Sequence, residues 1–300
     1  MKEKAGISAV IDHSLALMNP VTWLAPAWAF FCGAVASGAW GWSLESLGRV
    51  ALGMMMAGPI LCGLSQVINN YCDREVDAIN EPHRPVPSGL VSLRHVQVMS
   101  LLLTVAGSSI ALLLGREVAL FVGIGLIFAI SYSLKPFRAK RNGWVGNALV
   151  AFSYEGLAWL AGHAAMAAPL FWDSPNLWKS ATLAFLYSVS AHGIMTVNDF
   201  KSIVGDTQMG IKSIPVMYGE KVAAWLVVLK MSLAQALVVV LLFWWGNPVA
   251  AVVVLLLLLA QIVPFRRFLR HPSPNAVFFN LTAIQLSIWG MLVSALGLAL

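Results

Sequence analysis

Charge is what this 300-residue chain has least of: Asp, Glu, Lys and Arg together make up 11% of it, against 59% hydrophobic residues. Soluble domains carry about 25% charged residues, so a water-soluble fold is excluded. Cysteine is also scarce, and Cys32, Cys62 and Cys72 show no metal-ligand spacing. Without Cys or His clusters a zinc site is disfavoured, and free, buried thiols are expected. No basic run is interleaved with stacking aromatics, so the net charge of +6 is not a nucleic-acid footprint and no nucleic-acid partner is expected. No small-residue cleavage site precedes Pro20, so residues 1–18 are expected to form an amphipathic interfacial segment rather than a cleaved signal.

What is present is a succession of apolar runs, each near the roughly 20 residues that cross a bilayer. They fall at about 21–39, 49–72, 94–114, 117–134, 143–163, 177–200, 220–243, 248–268 and 276–299. The fold class expected is an all-α polytopic membrane bundle of about nine helices, one domain over residues 1–300, with the lipid bilayer as its solvent. Of the 19 basic residues, 15 collect on one side when the N-terminus is cytoplasmic, 3 lie on the other, and Lys230 lies inside a span. That asymmetry sets the expected orientation, with the even-numbered loops cytoplasmic.

The segment "SQVINNYCDREVDAINEPHRPVPSG", Ser65 to Gly89, places Asp73, Glu75, Asp77 and Glu81 at the end of a membrane-length run. On a helix, Asn69, Asp73 and Asp77 stand at about 0°, 40° and 80°, on one face, whereas Glu75 points away at about 200°. Helix C-termini disfavour carboxylates. Asp73 and Asp77, ~6 Å apart on adjacent turns, repel by roughly 3 kcal/mol at an effective dielectric of about 20. A solvated helix end explains this poorly, and a cation is expected to offset it.

A second segment, "NDFKSIVGD" from Asn198, repeats the first at a shift of 129 residues: Asn69 falls on Asn198, Asn70 on Asp199 and Asp77 on Asp206. Both segments sit at the cytoplasmic end of an even-numbered span, which points to a four-helix pseudo-repeat with one site between its halves. If the helix continues past Gly205, Asn198, Asp199 and Asp206 lie at about 0°, 100° and 80°, and His192 extends the stripe.

Two such faces meeting across a bundle offer hard oxygen ligands suited to Mg²⁺, which takes one or two carboxylates and fills its shell with water and phosphate oxygens. Asn69, Asp73, Asp77, Asn198, Asp199 and Asp206 are the candidate metal ligands. Arg74, Arg84, Lys140, Arg141, Lys201 and Lys212 are candidate holders of the remaining anionic charge. An anionic head at the membrane surface with an apolar cavity behind it matches a prenyl diphosphate, and the 12 Trp, 14 Phe and 12 Met include expected wall residues.

The spacing N-x-x-x-D-x-x-x-D after the second span, with a second Asp-rich segment after the sixth, resembles the UbiA-type membrane prenyltransferases over nearly the whole chain. Within them, "MNPVTWLAPAWAFFCG" from Met18, "DREVDAINEPHRPVPSG" from Asp73, "SYEGLAW" from Ser153 and "AHGIMTVNDFKSIVGDTQMGIKSIPV" from Ala191 resemble the chlorophyll and bacteriochlorophyll synthase branch. Cys72 in "YCDRE", and a short N-terminal segment without a plastid-type transit sequence, look more like the bacterial enzymes.

The resemblance implies Mg²⁺-dependent transfer of a geranylgeranyl or phytyl group from its diphosphate to the propionate of bacteriochlorophyllide a. It places the chain in a bacterial inner membrane, in association with other pigment-biosynthesis or photosystem-assembly proteins. On that reading Asp73, Asp77 and Asp206 are the candidate catalytic residues. Glu155 and His192, polar residues inside spans, are candidates for pigment binding, against a role in helix–helix hydrogen bonding. The branch usually has Asp where this chain has Asn70 and Glu where it has Val204, so the number of metal ions is open. Use of chlorophyllide, a quinone precursor or haem as acceptor is the alternative within the enzyme class. A cation transporter and a pigment-binding assembly protein are the rivals outside it.

Overall fold

The computed structural model describes residues 7–39, 41–167 and 169–300. Lys2 and Lys4, at the start of the expected interfacial segment, lie outside the described residues. Among the described residues every regular element is a helix. The chain begins with α1 (Ile7–Met18). After a short turn at Pro20–Thr22 it enters α2 (Leu24–Ala36), bent 42° from α1. Next, α3 (Leu44–Met55) runs through a widened π-helical stretch into α4 (Gly63–Asn80). Pro59 inside that stretch has no N–H to give to the ladder, a recognised cause of local widening or kinking.

The α5 helix (Leu93–Leu114) and α6 (Arg116–Ser133) are joined by Gly115 alone, at φ 145°, a backbone conformation that favours glycine. A second helix with a π-helical middle comprises α7 (Gly143–Ala151) and α8 (Ala158–Ala167). The rest of the bundle is α9 (Leu177–Asp199), the short α10 (Ile203–Gln208) and α11 (Ile214–Tyr218), α12 (Glu220–Trp244), the run of α13 (Pro248–Ala260) into α14 (Ile262–Arg270), and α15 (Pro272–Leu281) into α16 (Ala283–Ala299).

Among the described residues seven helices are long and apolar enough to cross a membrane, or eight with the bent α1–α2 pair. The remaining expected span, 143–163, is helical throughout within 143–167 and carries Asn147, Glu155 and His163. The expectation of about nine helices is consistent with this architecture. Exposed apolar side chains such as Leu101, Leu112, Ile127, Leu229 and Val263 face outward, which suits lipid contact and excludes an aqueous surface.

One change of course corrects the helical-wheel reading. The helix carrying Asn198 and Asp199 ends there, and Asp206 belongs to the separate α10. Phe200 turns into a buried cluster, 5.2 Å from the Phe268 ring centre, and burying that ring takes precedence over continuing the helix.

The core is held by close helix approaches as well as apolar packing. A β-carbon on Gly33 of α2 would lie 1.8 Å from the carbonyl oxygen of Trp159 in α8, and one on Gly162 of α8 would lie 1.9 Å from that of Phe30 in α2. The two glycines let these helices touch backbone to backbone, as small residues do in membrane bundles. Around this contact, Cys32, Trp159, Leu183, Val238 and Met291 share one buried cluster.

Candidate active site

The two Asp-bearing segments converge on a polar vestibule of about 350 Å³. From α4 come Asn69, Asp73 and Asp77, successive turns of one helix face. Arg138, Lys140 and Arg141 come from the α6–α7 loop, Asn147 from α7, Asp199 from α9, Ser202 from the α9–α10 turn and Asp206 from α10. Behind it opens a largely apolar cavity of about 480 Å³, walled by side chains including Pro26, Phe121, Phe128, Leu149, Val150 and Leu157. The two spaces share Asn69, Tyr132, Asn147 and Asp199. A ligand with a charged head and an apolar tail fits that division of polarity.

Local structure explains how the loops reach this position. Asn142 caps α7, its side chain accepting from the N–H groups of Trp144 at 3.0 Å and Val145 at 3.2 Å. The adjoining backbone pairs with the segment after α10: Lys212 N–H donates to Arg141 O at 2.9 Å, and Gly143 N–H to Lys212 O at 2.8 Å. Arg141 and Lys212 are thereby tied together through their backbones, while the Lys212 side chain is exposed.

The carboxylates are not left to repel one another. Asp73 accepts from Arg138 at 3.1 Å through Oδ1 and from Lys140 at 2.5 Å through Oδ2. Lys140 also donates to Asn69 Oδ1 at 2.8 Å. Asp77 is paired with Arg84 at 3.0 Å, and Arg84 in turn with Glu81. Burial pushes the Asp77 carboxyl above its ordinary value, with Arg84 offsetting part of that rise. Burial likewise pulls the Lys140 ammonium below the ordinary lysine value, against the opposing effect of Asp73. Across the vestibule, Asp199 accepts from Asn147 at 3.0 Å and Asp206 from the Ser202 hydroxyl at 2.9 Å. The lining therefore sets four carboxylates against three cations.

This donor set fits Mg²⁺. Among the described residues no three His, Cys, Asp or Glu side chains gather closely enough to hold a metal on their own. An ion that takes only one or two protein carboxylates and completes its shell from substrate oxygens and water is what such a site accommodates.

Of the residues expected from sequence, the vestibule brings together Asn69, Asp73, Asp77, Asp199, Asp206, Lys140 and Arg141, while Asn198 lines the apolar cavity instead. Arg84 reaches the vestibule only through Asp77. Arg74 turns outward onto the Tyr71 ring and Glu75, and Lys201 is exposed. Glu155 and His192 line neither space. Glu155 is buried with Oε2 lacking a hydrogen-bond partner. Both ring nitrogens of His192 are engaged, by the Trp144 carbonyl at 3.1 Å and Lys230 at 2.8 Å.

Sequence reasoning missed Arg138, Asn147 and Tyr132. Only Arg138 had a signal, since it shares the basic loop of Lys140 and Arg141. The two departures from the branch pattern also find a place. Asn70 is absent from both linings and donates to the backbone carbonyls of Leu17 at 3.3 Å and Gln66 at 2.9 Å, tying α4 to the end of α1. Val204 is exposed on α10.

A helical membrane bundle whose charged vestibule opens onto an apolar cavity defines a class: membrane proteins with room for an amphiphilic ligand, charged head in the one and apolar tail in the other. The chain belongs to the UbiA prenyltransferase family, which it matches over residues 23–292. It is 65% identical to the bacteriochlorophyll synthase 34 kDa chain of Chloroflexus aurantiacus over 97% of this chain and 91% of that one. It is 37% identical to the chloroplastic chlorophyll synthase of Oryza sativa subsp. japonica over 94% of this chain and 76% of that one. Its fold is similar to that of a UbiA homologue from Archaeoglobus fulgidus bound to GPP and Mg²⁺, with a TM-score of 0.62 at 19% identity, covering 96% of this chain and 98% of that one.

Proposed function

We propose that this chain is a bacteriochlorophyll synthase: it transfers a geranylgeranyl or phytyl group from its diphosphate to the propionate carboxylate of bacteriochlorophyllide a, with Mg²⁺ as cofactor, at the cytoplasmic face of a bacterial membrane. The observation that carries the reading is the match, over nearly its whole length, to a relative of that name. The vestibule supplies the chemistry. Asn69, Asp73 and Asp77 on one side and Asp199 and Asp206 on the other would hold Mg²⁺. When bound, the metal supplies Lewis-acid charge neutralisation of the diphosphate.

Arg138, Lys140 and Arg141 bind the remaining phosphate oxygens and stabilise the charge that develops as the allylic C–O bond breaks and its electron pair leaves with diphosphate. The acceptor carboxylate, with an ordinary pKa of about 4–5, is already ionised near neutrality and forms the new C–O bond without a general base. The prenyl tail lies in the apolar cavity, whose walls exclude water from the allylic carbon.

The test supplies membranes containing the full chain with bacteriochlorophyllide a, geranylgeranyl diphosphate and Mg²⁺, and looks by chromatography for the esterified pigment, with chlorophyllide a and 4-hydroxybenzoate as competing acceptors. Preferred esterification of bacteriochlorophyllide is expected; preferred prenylation of 4-hydroxybenzoate would overturn the reading.

A further inference from the structure

Lys230 lies inside a span and outside the vestibule. Its Cα is ten residues past Glu220, about 15 Å along α12. Its ammonium nevertheless stands 4.2 Å from the centre of the Trp144 ring, on the first turn of α7. The lysine stem therefore runs back along the helix toward the membrane surface, as lysines in spans do.

Its surroundings are built rather than incidental. His192 Nε2 donates to the Trp144 carbonyl at 3.1 Å, which leaves Nδ1 as the acceptor for Lys230 Nζ at 2.8 Å. The imidazole is thus a neutral strut that fixes the ammonium over the indole face. Trp144 Nε1 donates to the Tyr218 hydroxyl at 3.1 Å, so the phenol keeps its own proton for another acceptor. Among the described residues no carboxylate pairs with Lys230. Trp144 and Tyr218 are 37% and 48% exposed, and none of Trp144, His192, Tyr218 or Lys230 lines either cavity.

One indole thus gathers an uncompensated positive charge with two spare N–H donors on its face and a phenol O–H donor on its edge, on the outside of the bundle. A lone intramembrane charge calls for a partner. Tyr and Trp at the membrane–water boundary mark headgroup depth. The exposed Leu229 and Leu233 of the same helix offer apolar surface to acyl chains. We propose that Lys230, Trp144 and Tyr218 form a seat for the phosphate of an anionic phospholipid in the cytoplasmic leaflet, between α7, α9 and α12 and separate from the substrate path.

Native mass spectrometry of the full chain, released from detergent loaded with phosphatidylglycerol, with phosphatidylcholine or with inorganic phosphate alone, tests this. Phosphatidylglycerol is expected to be retained in preference to phosphatidylcholine. Retention should fall about fivefold in Lys230→Met, the effect of one basic residue at a lipid surface, and by a similar factor of about five in Tyr218→Phe, the effect of one hydrogen bond. Equal retention of the two lipids overturns the proposal, as does undiminished phosphatidylglycerol retention in Lys230→Met. Retention of inorganic phosphate equal to that of phosphatidylglycerol would identify a free-anion site and overturn it too. If Lys230→Met does not fold, Tyr218→Phe decides, and undiminished retention there overturns the seat.

Discussion

At the scale of single residues, Asp73 is the most connected acid of the vestibule, with one oxygen on Arg138 and the other on Lys140. Asp73→Ala removes a proposed metal ligand and also leaves two cations without their partner. Turnover is expected to fall about 100-fold or more, the usual cost of removing a preorganised charge-stabilising group. Diphosphate release from membranes containing the variant measures this, and near-normal release removes Asp73 from the metal role. Asn70 is expected to behave differently. Its amide donates to two backbone carbonyls, and a carboxylate would put negative charge against both. Asn70→Asp is expected to cost about 1–3 kcal/mol of stability, read as a lowered unfolding temperature in detergent. A rise in Mg²⁺ affinity at unchanged stability would show instead that position 70 reaches the metal. Helix angles alone made Asn69, Asp73 and Asp77 legible in the sequence, because all three belong to one continuous helix. Asn147 and Tyr132 were illegible, because their place in the vestibule depends on how α6 and α7 dock, which no local spacing encodes.

At the scale of elements, the contact of α2 with α8 depends on the absence of two side chains. The β-carbon of Gly162→Ala would stand 1.9 Å from the Phe30 carbonyl oxygen, and the obstacle is backbone, which cannot rotate away. The helices must separate, at a cost of about 1–3 kcal/mol or more. Gly33→Ala meets the Trp159 carbonyl in the same way, and because both substitutions force one separation, the double variant is expected to lose less than the sum of the two. Thermal unfolding of the two single variants and the double variant checks this; strict additivity would mean that the glycines act independently. The spans themselves were readable from hydropathy, even where Gly115 alone divides two of them. The break between Asp199 and Ile203 was not, since it comes from Phe200 packing on Phe268, a contact between residues far apart in sequence.

At the scale of the whole molecule, the excess of basic residues in the chain and the acidic lining of the vestibule stand in opposition. Basic residues crowd the loops around the site, Arg84, Arg138, Lys140 and Arg141 among them, yet the vestibule lining carries a formal charge of −1, from Asp73, Asp77, Asp199 and Asp206 against Arg138, Lys140 and Arg141. A prenyl diphosphate brings several more negative charges into a partly dehydrated space, where Coulomb repulsion is stronger than in water. Two divalent ions would turn the lining strongly positive, so metal and diphosphate should bind each other's complex far better than the bare protein. Coupling of this kind is reciprocal: the factor by which Mg²⁺ tightens diphosphate binding equals the factor by which diphosphate tightens Mg²⁺. Calorimetry on the full chain in detergent is expected to show geranylgeranyl diphosphate binding weakened about 5- to 150-fold by a chelator, the usual range for coupled sites, with turnover lost and both restored by added Mg²⁺. The apolar cavity still holds the tail in the chelated protein, so residual binding should fade as the prenyl chain is shortened, by about 0.8 kcal/mol for each buried methylene lost. Equal affinity with and without metal would mean that Arg138, Lys140 and Arg141 hold the diphosphate unaided, and that the four carboxylates serve only to position those cations.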